Sequence, residues 1–140
     1  MIITNLKKLR KRSKEFKGSK KELEKLVNKL ETELENSEIS GVGLSAIQIG
    51  LASKVAIVRT SDLKINLYNA KITKRRKPFI FKNEGCLSIP NIFKDTLRFL
   101  YIELENGDGT IFELTGYNAV VAQHEIDHQN GILFIDRAIE

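Results

Sequence analysis

The chain has only two histidines, and they fall four residues apart in Gln123-His124-Glu125-Ile126-Asp127-His128. On a helix, positions i and i+4 stand one above the other on the same face. His124 and His128 can therefore turn imidazole nitrogens toward one metal ion, with Glu125 beside it as a base. The bland alternative is an exposed polar helix that happens to carry two unrelated histidines. Against it, Val120, Val121 and Ala122 make the preceding turn apolar, and imidazoles on a buried face need partners. Two imidazoles do not complete a catalytic centre, which takes three protein ligands and keeps a position open. Downstream of His128 the only carboxylates are Asp136 and Glu140, and Asp136 has a competing use as the partner of Arg137 or another surface cation. Upstream stands Cys86, the single cysteine. Gly85 before it lets the backbone come close, and a thiolate is a strong ligand for a borderline divalent metal. On HExxH alone, a zincin-like endopeptidase stays open. So does a basic ribosome-binding module with a structural metal, although such a site is normally closed by four ligands and three good candidates are present.

Bulk properties narrow the class without choosing the chemistry. With 140 residues, 41% of them hydrophobic and 29% charged, the chain fits a single domain, 1–140, with its own core. No apolar run approaches the roughly 20 residues of a membrane span, and the basic N-terminus has no apolar stretch behind it. The expected location is the cytoplasm, with no membrane partner. A lone cysteine cannot form an internal disulfide. The net charge of +5 concentrates in Lys7-Lys8-Leu9-Arg10-Lys11-Arg12 and Lys74-Arg75-Arg76-Lys77. Each run reads first as solvated charge, and second as an attraction to an RNA-rich partner such as the ribosome. No aromatic residues interleave them, which argues against a specific single-strand binder.

The elements that must position these residues can be read from period and caps. Ser19-Lys20-Lys21-Glu22 has the form of a capping box, and Leu23, Leu26, Val27, Leu30 and Leu34 follow at helical spacing to about Asn36. The segment from Gly41 to Gly50 mixes small residues with isolated large ones, as backbone held close to something else does. Short strands are expected at 54–59, 65–68, 78–82 and 97–105. Gly85 and Pro90 bracket the cysteine, and Asn106-Gly107-Asp108-Gly109 turns the chain into a returning strand, 110–114. Thr115 is a candidate N-cap for a last helix, 116–129, stopping at Asn130-Gly131. On it Tyr117, Val121, His124 and His128 share one stripe. The expected fold is α+β, with mixed or antiparallel strands packed around a buried C-terminal HExxH helix and an amphipathic helix at the N-terminus.

Three motifs then stand in order: Gly43-Leu44-Ser45-Ala46-Ile47-Gln48, Glu84-Gly85-Cys86-Leu87-Ser88 and Gln123-His124-Glu125-Ile126-Asp127-His128. Together they resemble the three signature motifs of the peptide deformylases. The likeness extends into Gly131-Ile132-Leu133-Phe134-Ile135-Asp136-Arg137, and Ile65-Asn66-Leu67-Tyr68-Asn69 resembles a strand that usually reads Ile-Asn-Pro. It covers most of the chain after Glu38.

The resemblance implies a metal held by Cys86, His124 and His128, typically Fe²⁺ in the cell and replaceable by Zn²⁺, Ni²⁺ or Co²⁺. It implies Glu125 as general base, and the Gln48 side-chain amide with the Leu87 backbone N–H as donors to the developing oxyanion. The substrate would be the N-terminal formyl-methionine of nascent polypeptides, and the products formate and a free α-amino group. A peptide lying as an added strand would use the glycine-rich backbone at Gly41 and Gly43, with Val42 and Gly85 as the main-chain contacts. Tyr117, Val120 and Val121 would wall the methionine pocket. Ser45 stands where the family more often has alanine, and Tyr117 is bulkier than the usual aliphatic residue. The chain ends shortly after Arg137 without the C-terminal extension by which many bacterial forms engage the ribosome, as in the short bacteriophage forms. Weak ribosome association would then fall to the basic runs.

Overall fold

The computed structural model describes residues 1–139. In chain order it contains α1 (Leu6–Leu9), α2 (Lys20–Glu35), β1 (Gly43–Ser45), a 3-10 turn (Ala46–Ile49), β2 (Val55–Arg59), β3 (Lys64–Tyr68), β4 (Lys71–Cys86), β5 (Ile89–Glu105), β6 (Ile111–Thr115), α3 (Gly116–Gln129) and a final 3-10 turn (Phe134–Arg137). The strands form two antiparallel three-stranded sheets, β1-β2-β3 and β4-β5-β6. This is an α+β fold.

The central strand β2 explains how the layers stack. Val55, Ala56, Ile57 and Val58 are all fully buried, because alternate side chains meet different partners. Val55 and Ile57 pack with Val27 and Leu30 of α2 on one face. Ala56 and Val58 pack with Ala119, Val121, Ala122 and Ile126 of α3 on the other. The same inner cluster takes in Ile102, Leu104 and Leu114 of the second sheet, so α3 lies between the two sheets. A third cluster of Leu9, Ile89, Leu133 and Phe134 closes the end of the molecule.

Both long helices obey their local signals. Ser19 accepts from the Glu22 N–H while Glu22 reaches back to the Ser19 N–H, which completes the capping box of α2. At the end of α3, Gly131 takes a φ of 74°. The N–H groups of Gly131 and Ile132 then donate to the carbonyls of His128 and Asp127, a Schellman closure that requires a left-handed residue. Thr115 sits at the N-cap of α3, but its side chain makes no capping hydrogen bond.

The strands at 78–82 and 97–105 prove far longer than their sequence pattern suggests. β4 and β5 pair from Lys71↔Glu105 down to Cys86↔Ile89. The Gly/Pro-flanked cysteine segment is therefore the tip of a hairpin with Leu87 and Ser88 at its turn, and Lys74-Arg75-Arg76-Lys77 is strand. Ladder hydrogen bonds hold such residues extended without a local apolar pattern. The short helix α1 was likewise unexpected, with the Asn5 side chain accepting from the Lys8 N–H.

Candidate active site

The helix α3 buries Gln123, Glu125, Asp127 and His128, a polar load that is sustainable only where partners exist. The Gln123 amide pairs with both backbone groups of Phe99, at 2.9 and 2.8 Å, just beyond the point where β6 stops pairing with β5. This side chain stands in for a strand and fixes α3 against β5. His124 and His128 then present Nε2 atoms 3.2 Å apart, and the Cys86 Sγ lies 3.5 Å from the His128 Nε2. One ligand atom from each of the three residues falls within 4.8 Å of the others. Two nitrogens and a sulfur aimed at one point form a donor set suited to a borderline divalent cation.

The orientation of the His124 ring comes from Glu84. Its Oε2 lies 2.7 Å from the His124 Nδ1, which directs the other ring nitrogen inward. Glu84 reaches this position through a local distortion of β4. Register shifts flank it, and Asn83 adopts a φ of 56°, a left-handed conformation that asparagine tolerates. Bulges of this kind re-aim side chains next to working sites. The carboxylate is then clamped by the Thr96 hydroxyl and by the Arg98 guanidinium. Arg98, 2% exposed, also donates to Asp127 at 2.7 Å, and Asp127 accepts in addition from Arg137.

Electrostatics follow this burial. Burial pushes the Glu84 carboxyl up, but hydrogen bonds from His124 and Arg98 outweigh it and hold the group at about 2. Burial raises the Glu125 carboxyl above its usual range, against the pull of His124 and the Ser45 hydroxyl. Burial opposes charge on both imidazoles. His124 is nevertheless lifted by the Cys86 sulfur and Glu84, while His128 is driven further down by its neighbour His124.

A cavity of about 400 Å³ opens onto this cluster. It is lined by every sequence candidate except His128: Val42, Gly43, Gln48, Gly85, Cys86, Leu87, Tyr117, Val120, Val121, His124 and Glu125. Val120 and Val121 are buried in its wall, whereas Tyr117 is 50% exposed at its rim and stacks on Phe81. Gln48 is buried. Its Oε1 accepts from the Ser45 N–H at 2.9 Å, which turns Nε2 toward the Ser88 Oγ at 3.0 Å and the Cys86 Sγ at 3.5 Å.

The backbone around two candidate contacts, Val42 and Gly85, has close neighbours. The Val42 carbonyl accepts from the Arg59 N–H at 2.6 Å, so that carbonyl is engaged by the end of β2. In an antiparallel strand the next residue points its peptide groups the other way, which leaves Gly43 facing the open edge of β1. A Cβ on Gly43 would lie 2.5 Å from the Glu125 Oε2, so the glycine is required for the close approach of that carboxylate. At Gly85 the room left by the missing Cβ is filled by the Phe93 ring. Asp136, the downstream carboxylate, pairs with Arg10 at 2.9 Å and caps the Leu133 N–H. It takes no part in the cluster, and Glu140 lies outside the described residues.

Sequence reasoning missed Glu84, Arg98, Asp127, Ser45 and Ser88 as contributors. For Arg98 a signal existed: it shares the period-2 inward face of β5 with Thr96, Ile102 and Leu104, and a charge on a core face demands acidic partners.

Comparisons with known proteins agree with this geometry. The family model described as polypeptide deformylase matches residues 2–140. A peptide deformylase from Wolinella succinogenes is 40% identical over 109 residues, covering 70% of this chain and 64% of that protein's length. Among solved structures, peptide deformylase from Thermotoga maritima superposes with a TM-score of 0.88 at 32% identity, covering 100% of this chain and 97% of that one. A probable peptide deformylase from synechococcus phage S-SSM7 gives 0.85 at 36% identity, with 98% of each chain covered.

Proposed function

The chain belongs to the polypeptide deformylase family, and from that premise we propose that it removes the N-terminal formyl group from formyl-methionine of nascent polypeptides, releasing formate. The observation that carries this reading is the meeting of Cys86, His124 and His128 ligand atoms within 4.8 Å at a cavity that Glu125 and Gln48 also line.

Cys86, His124 and His128 would hold a divalent metal, with Fe²⁺ as the resident ion in the cell and Zn²⁺, Ni²⁺ or Co²⁺ as substitutes. When bound, such an ion supplies Lewis acidity, which makes water a nucleophile near neutral pH and polarises the formyl carbonyl. Glu125 takes the proton of the attacking water and returns it to the departing α-amino nitrogen. Its raised proton affinity suits a group that must both accept and donate. As charge grows on the formyl oxygen, the Gln48 Nε2 and the Leu87 N–H donate to it, each worth about 3 kcal/mol where well aimed. The peptide runs along Gly43 on the open edge of β1, and the methionine side chain lies against Val120, Val121 and Tyr117. The enzyme would meet its substrate in the cytoplasm. The exposed run Lys74-Arg75-Arg76-Lys77 would add weak attraction to ribosomal phosphates, moderated because Lys74 already pairs with Glu103 at 3.7 Å and Arg76 lies over Tyr101.

The test is anaerobic reconstitution with Fe²⁺ or Ni²⁺, followed by formate release from a short formyl-Met peptide, beside Glu125→Ala. Metal-loaded wild type should turn over, and Glu125→Ala should keep the metal and lose the rate. No formate from the loaded wild type, or equal rates, defeats the reading.

A further inference from the structure

We propose that the Ser45 hydroxyl is a positioning group for the deformylation reaction, holding one oxygen of the Glu125 carboxylate so that the other is presented for proton transfer. This rests on the reading of Glu125 as the base. The Ser45 Oγ lies 2.9 Å from the Glu125 Oε1 and 3.1 Å from that residue's backbone oxygen. A hydroxyl has one proton to give, and a carboxylate accepts more strongly than a peptide carbonyl. The proton therefore goes to Oε1. Ser45 is 1% exposed, so water does not compete for the bond.

The hydroxyl is itself held firmly. Ser45 ends β1 in register with Ala56, and its N–H is fixed by the Gln48 Oε1 at 2.9 Å. A donor on a strand locked by its neighbours places its partner better than one on a free loop. On the other side of the carboxylate, Oε2 occupies space that a Cβ on Gly43 would invade, at 2.5 Å. Glutamate has three rotatable bonds, and here the last is set between a hydroxyl and bare backbone. The restraint on Gln48 comes from the Ser45 backbone and survives any substitution that keeps the strand. Ser45's own restraint on Glu125 comes from its hydroxyl. Ser45→Ala therefore separates the two.

The experiment compares wild type, Ser45→Ala, Glu125→Gln and the double variant, all loaded with Ni²⁺ and assayed for formate release from a formyl-Met peptide. Ser45→Ala should lower kcat roughly tenfold, the worth of one hydrogen bond to a charged acceptor, with KM unchanged. Metal content should stay at the wild-type level and Tm within about 3 °C. In the Glu125→Gln background the same substitution should change the residual rate less than twofold. Crystals of metal-loaded Ser45→Ala should show the Glu125 carboxylate rotated or in two orientations. Unchanged kcat, an equal loss in the Glu125→Gln background, or a carboxylate that stays in place would overturn the proposal. So would parallel losses of metal, Tm and rate. A loaded wild type that releases no formate overturns the deformylase reading instead, and the crystals then still report whether the hydroxyl orients Glu125.

Discussion

Replacing Arg98 by methionine removes the only guanidinium in contact with Glu84 among the described residues and leaves that buried carboxylate with His124 and the Thr96 hydroxyl as partners. The guanidinium donates twice to Glu84 and once to Asp127, and the two side chains of the Glu84 pair are 2% and 5% exposed. Breaking a buried pair from one side costs about 3–5 kcal/mol, and His124, still within hydrogen-bond distance of Glu84, holds the loss toward the lower figure. Asp127 keeps Arg137, so the loss centres on Glu84. With an unfolding entropy of about 2 cal/mol/K per residue, that range corresponds for a 140-residue chain to a loss of roughly 10–18 °C in Tm. The metal-free variant is followed by circular dichroism. Metal affinity, measured by competition with a chromophoric chelator, should fall about 10–100-fold because Glu84, without Arg98 to clamp it, fixes His124 less firmly.

Two controls make the reasoning refutable. Adding Glu84→Gln to Arg98→Met removes the buried charge that has lost its guanidinium and should recover part of the lost Tm. The pH dependence has a definite sign. Glu84 sits at about 2 in the folded chain against 4.5 for the free group, so its contribution is present above 4.5 and is lost as pH falls toward 2. The gap between wild type and Arg98→Met should therefore narrow across that window. A variant that melts within about 2 °C of wild type, or a gap that widens in acid, would refute the assignment.

Cys86→Ala should bind no stoichiometric Ni²⁺ by atomic absorption, whereas Asp136→Ala should bind a full equivalent, since Asp136 is occupied by Arg10. The reverse pattern would revive a downstream third ligand. Gly43→Ala places a methyl group against the Glu125 carboxylate and should lower formate release at least about tenfold with metal content intact. An unaffected rate would mean that the approach is not needed. Ser19→Ala removes the acceptor for the Glu22 N–H and should cost about 1 kcal/mol by urea denaturation without touching the specific activity of loaded protein.

The helices were legible because their signals are local. The capping box at Ser19 and the glycine at 131 act on their own neighbours, and the predicted bounds of α2 and α3 agree with the observed ones. β4 and β5 were read too short for the opposite reason. Lys74 to Lys77 carries no strand pattern of its own, and only the partner strand keeps it extended. Which peptide groups of Val42 and Gly43 face the open edge of β1 is likewise settled by register with β2, which no local pattern reports.

At the candidate site, residue types scarce enough to be conspicuous pointed to Cys86, His124 and His128, the HExxH pattern added Glu125, and spacing alone put the two imidazoles on one face. That much is chemistry written along the chain. The company these residues keep is not. Glu84 is turned inward by a left-handed Asn83 in a bulged strand, and Arg98 meets it from the neighbouring strand. Ser45 reaches Glu125 across 80 positions of sequence. Each of these contacts depends on which strands pair, in what register, and where the ladder is broken. Tertiary packing decides them because a buried charge or hydroxyl finds its partner in space, and distance along the chain does not constrain that choice.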